Sequence, residues 1–62
     1  MCESTAYLVK GKKRELLMKD VVKAFVEGES VTLTNIIGER TKVAGKLAEV
    51  NLIGHSLSIV ES

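Results

Sequence analysis

Five glycines, Gly11, Gly28, Gly38, Gly45 and Gly54, divide a 62-residue chain that contains no proline into segments of strand length. Such regular punctuation predicts a small all-β barrel or sandwich, because each interval holds one extended segment and the breaks supply the turns. Ala6 to Val9 leads into Lys10-Gly11-Lys12-Lys13 and returns through Glu15-Leu16-Leu17-Met18, which reads as a hairpin with a basic tip. After Glu27-Gly28-Glu29, Val31 and Leu33 alternate with Thr32 and Thr34, the period-two pattern of a half-buried strand. Thr41 to Ala44, Leu47 to Leu52, and Leu57 with Ile59 give three further segments. The expectation is a barrel of five to six short antiparallel strands.

Residues 16–26 carry two signals. Leu17, Met18, Val21, Val22 and Phe25 recur at the i, i+1, i+4, i+5, i+8 spacing of an amphipathic helix. Against a helix stand the β-branched Val21-Val22, Val26 and the aromatic Phe25, which lose side-chain freedom in one. Propensity favours a strand, with a helix as the standing alternative and Phe25 in the core.

A chain this short is read as one domain spanning residues 1–62. About 60 residues bury only roughly 60% of the surface their unfolded form exposes, so further support is expected from a disulfide, a metal or a partner. Cys2 is the single cysteine, which excludes an intrachain disulfide and leaves self-association or a shared metal. The net charge of +1 gives no electrostatic reason for duplex DNA or an acidic membrane as partner. No apolar run approaches the ~20 residues of a membrane span. The opening Met1-Cys2-Glu3-Ser4 has neither the basic region nor the apolar core of an export signal, so a cytoplasmic location is expected.

Enzyme constellations are missing: Gly11-Lys12 and Gly45-Lys46 lack the glycines of a phosphate cradle, and no nucleophile has an evident base. Enzymatic activity is not expected. Cys2 is the strongest chemical candidate, because its thiolate is a soft ligand beside the α-amine, with or without Met1. Nitrogen and sulfur in one plane suit nickel(II) and copper(II), and a twofold dimer would bring two such sets together. The bland alternative is an inert thiol near the chain terminus. His55, after Gly54, reads as a turn histidine and is not assigned to a metal. Lys10, Lys12, Lys13 and Arg14, with Lys42 and Lys46 as extensions, form a basic tip that could meet RNA phosphates. Stacking of bases would then fall to Tyr7, the other aromatic.

The opening Met-Cys-Glu-Ser-Thr-Ala-Tyr-Leu, the charged hairpin, Asp20-Val21-Val22, the Val31–Thr34 strand and Ala48–Leu52 before His55 together resemble the CooT-like family of small nickel-binding proteins. The most specific element is Cys2 within Met-Cys-Glu. The resemblance implies an SH3-like barrel that forms a homodimer and binds nickel(II) between two chains through Cys2. It further implies an accessory or metallochaperone role toward a nickel enzyme of the carbon monoxide dehydrogenase type. A small-barrel RNA-binding protein is the alternative.

Overall fold

The computed structural model describes residues 3–62, which form five strands and no helix: β1 (Ser4–Lys10), β2 (Lys13–Glu27), β3 (Ser30–Asn35), β4 (Arg40–Asn51) and β5 (Ser56–Glu61). Successive strands pair in chain order, and β1 also pairs with β5, so the sheet closes on itself. The expected antiparallel pairing holds for every hairpin-linked pair, whereas the closing β1–β5 ladder is parallel, from Thr5 opposite Ser56 to Val9 opposite Val60. An odd number of alternating strands requires this, since the first and the fifth then run in the same direction.

Two strands are far longer than expected, β2 with 15 residues and β4 with 12. Each serves two neighbours. The first half of β2 pairs with β1 and its second half with β3; β4 pairs with β3 up to Ala44 and with β5 from Gly45 onward. Gly45 therefore does not end a strand, as its place among the punctuating glycines suggested. It is buried at the point where β4 changes partner, and its N–H donates to the Glu29 carbonyl at 2.8 Å. A Cβ there would run into the Val60 carbonyl oxygen and lie 3.0 Å from Ile59 Cγ2.

Residues 16–26 are strand throughout, and the register explains their helical pattern. Ser4 faces Val21, Ala6 faces Met18 and Tyr7 faces Leu16, so β2 holds one extra residue in each of those two intervals. A third irregularity lies between Val21 and Lys23 on the β3 side. Each inserted residue reverses which face the following side chains take. Leu17, Met18 and Val21 all reach the core as a result, at a spacing that imitates a helix. Phe25 does not: it pairs with Thr32 on the outer face and is 52% exposed, correcting the expectation that it belongs to the core.

The core among the described residues consists of Ala6, Leu8, Val21, Val31, Leu33, Leu57 and Ile59, with Leu17, Met18, Val43 and Leu47 packed at its margin. It is outnumbered by the large apolar side chains that stay exposed.

The β3–β4 loop is built around one side chain. Asn35 Oδ1 accepts from the N–H groups of Ile37 (3.2 Å) and Glu39 (2.9 Å), while Asn35 Nδ2 donates to Glu39 Oε1 at 2.8 Å. Gly38 completes the turn at φ 90°, a region open to glycine and strained for other residues. Asn35→Ala removes all three bonds at an exposed site and should lower unfolding free energy by about 1 kcal/mol, read from urea denaturation.

Candidate functional site

Cys2, the principal candidate, lies outside the described residues, but the strand that follows it is well defined. The Thr5 N–H donates to the His55 carbonyl at 2.9 Å, and Ser4 faces Val21. Val21 in turn faces Asn35, and the Ile36 N–H donates to the Asp20 carbonyl at 2.9 Å. The start of β1 is thus flanked by two loops, Asn35–Glu39 on one side and Asn51–His55 on the other.

His55 takes φ 53°, a left-handed conformation that histidine adopts more readily than most residues. This conformation turns its carbonyl toward Thr5 and leaves its side chain exposed. The chain's one imidazole therefore stands beside the strand that Cys2 precedes, a neighbourhood that sequence reasoning missed. The parallel β1–β5 closure creates it, and no local signal announces that closure. Among the described residues no three His, Cys, Asp or Glu side chains cluster as a metal site.

The basic tip is less free than its sequence suggests. Lys10 Nζ lies 3.5 Å from Glu15 Oε1 and 3.9 Å from Glu61 Oε2. The guanidinium of Arg14 stacks 3.9 Å above the Tyr7 ring. One face of the single proposed base-stacking platform is therefore covered by a side chain of the same patch. Lys46 joins the tip through β5, since Lys46 and Val9 both face Val60, but Lys42 faces Thr32 on the β3 side and does not.

A surface hollow of about 800 Å³ lies between the bend of β2 and the β3–β4 loop and is lined in part by Lys19, Asp20, Glu39 and Arg40. Among the described residues that line it there is no imidazole. No helix among the described residues is long and apolar enough to cross a membrane.

The family model for CooT, described as a CO dehydrogenase accessory protein, matches residues 1–60. The chain belongs to the CooT family. This CooT chain also matches the crystal structure of a "putative CooT" from Carboxydothermus hydrogenoformans, with a TM-score of 0.89, 31% identity and 98% of each chain covered. An uncharacterized protein of Archaeoglobus fulgidus is 42% identical over 40 residues, which span 64% of this chain and 89% of that protein. The resemblance drawn from Met-Cys-Glu and the later strands is borne out at the level of the family. CooT proteins are accessory proteins for an enzyme, and this chain is not itself an enzyme.

Proposed function

We propose that this CooT protein is a cytoplasmic, homodimeric nickel(II) carrier with an SH3-like barrel. In this reading it holds the metal between two chains through Cys2 and passes it to a nickel enzyme of the CO dehydrogenase type. The observation that carries the reading is the family match, which begins at residue 1 and so takes in Cys2. The donor chemistry fits. A thiolate and an adjacent backbone or terminal nitrogen from each of two chains fill the four positions of a square plane, the geometry nickel(II) takes with such ligands. A carrier must also release its metal. In this reading the paired thiolates stay open to ligand exchange with a better-ligated client.

RNA binding finds no second support, because Arg14 occupies Tyr7 and Glu15 and Glu61 sit beside Lys10.

Anaerobic titration with nickel(II), followed by thiolate-to-nickel charge-transfer absorbance and native mass, tests the proposal. Wild type should saturate at about one nickel per two chains, and Cys2→Ser should lose both the absorbance band and at least a hundredfold in affinity. Equal binding by wild type and Cys2→Ser would remove Cys2 from the site.

A further inference from the structure

The two loops beside the start of β1 carry the wrong residues for loop tips. Connections at a protein surface are ordinarily polar, yet Ile36, Ile37, Leu52 and Ile53 occupy these tips and are 50%, 76%, 81% and 95% exposed. Neither tip is loosely built. Asn35 braces the first through three side-chain hydrogen bonds. Asn51 braces the second: its Oδ1 accepts from the Gly54 N–H at 2.8 Å, and the His55 carbonyl is tied to Thr5. Both loops hold adjacent aliphatic side chains in water in a fixed arrangement, which is how a surface prepared for a partner is built.

We infer that these two tips are the contact surface for a second copy of this chain. Ile36-Ile37 of each protomer packs on Leu52-Ile53 of its partner, and the twofold axis passes beside the start of β1. The inference rests on the two-chain reading given above and names the surface that joins the chains.

Three observations select a second copy as the occupant. The tips stand on opposite sides of β1, about three strand spacings of ~4.8 Å apart, since Asn35 faces Val21, Val21 faces Ser4 and the next residue, Thr5, faces Ser56. A twofold contact joins unlike patches reciprocally, so two patches flanking an axis suit a self-complementary interface. The area is also sufficient. The four side chains expose on the order of 400 Å² of apolar surface per chain, and two such sets with their polar rims approach the ~1,000 Å² at which specific interfaces begin. Finally, the small core leaves the barrel in need of added burial, which a partner supplies. An axis at this position brings the starts of β1 of the two chains next to each other, the side from which a shared Cys2 site would be built.

Sedimentation of metal-free protein in EDTA tests the surface without the metal. Wild type should be a dimer, and Ile37→Lys and Ile53→Glu should each raise its dissociation constant at least a hundredfold. In the double variant Ile37→Lys/Ile53→Glu each lysine meets the partner's glutamate, so at least tenfold of that loss should return. Thermal melts confirm folding, and Ile37→Ser replaces any variant that fails to fold. A monomeric wild type, single variants that dimerise normally, or a double variant weaker than both singles would each overturn the inference. Monomeric wild type that co-sediments with phosphatidylcholine vesicles would overturn it in favour of a lipid surface. Cys2→Ser separates the two readings. A dimeric Cys2→Ser protein that has lost nickel supports both; one that is dimeric and still binds nickel leaves the surface standing and removes the metal site.

Discussion

Gly45→Ala is expected to destabilise the barrel by about 3 kcal/mol or more, although β propensity by itself predicts a gain of roughly 0.5–1 kcal/mol from replacing glycine within a strand. The added methyl group meets the backbone carbonyl of Val60 and the side chain of Ile59. A flexible side chain could turn away, but the Val60 carbonyl belongs to the β4–β5 ladder, where Val60 faces Lys46 and Glu61 faces Gly45. The Glu29 carbonyl holds Gly45 from the other side through its N–H. Relief thus requires β4 and β5 to separate where β4 changes partner. For a domain of this size each 1 kcal/mol shifts Tm by roughly 4–8 °C, so a fall of at least about 12 °C is expected in a calorimetric scan. An unchanged or raised Tm would show that the two strands part easily at this point.

Leu33→Ala should remove roughly half of the isolated chain's stability at 25 °C. Leu33 is fully buried and is among the largest such side chains in the core. Deleting it costs about 2–5 kcal/mol in transfer energy and cavity, whereas a chain of this length has roughly 3–9 kcal/mol in total. Far-ultraviolet circular dichroism with urea titration reads the effect directly. If association contributes to stability, the variant's Tm should rise with protein concentration, because a partner that binds only the folded form shifts the equilibrium by mass action. A Leu33→Ala protein that melts like wild type would mean the surrounding strands collapse into the space.

Much of the fold was legible where one side chain alternates with the next. The pattern of Val31, Thr32, Leu33 and Thr34 names both fully buried positions of β3; Leu57 and Ile59 are the buried apolar positions of β5, where Ser58 between them is buried as well. The basic hairpin was legible too, since Lys10 faces Lys13 across Gly11-Lys12 as a short turn demands. Phe25 was misplaced because hydrophobicity alone suggested burial, and only the pairing with Thr32 reveals which face it occupies. Gly45 was misread as a break because the sequence does not distinguish a glycine needed for a turn from one needed for close approach of two backbones. The apolar loop tips passed unnoticed for a related reason: Ile36-Ile37 and Leu52-Ile53 look like strand residues until the strand ends are known.

The sequence by itself determined the class of fold, the hairpin, the faces of the regular strands and the family, with Cys2 as its one chemically distinctive residue. These are properties of short stretches, in which periodicity, turn chemistry and a terminal motif are written in adjacent residues. Tertiary structure decided the bends of β2 and β4, the parallel closure of β1 on β5 and the company this gives to the start of β1: His55, and two braced loops tipped with isoleucine and leucine. Those features follow from closing a five-stranded sheet on itself. Closure fixes register between residues some fifty positions apart, and no local pattern in the chain carries that information.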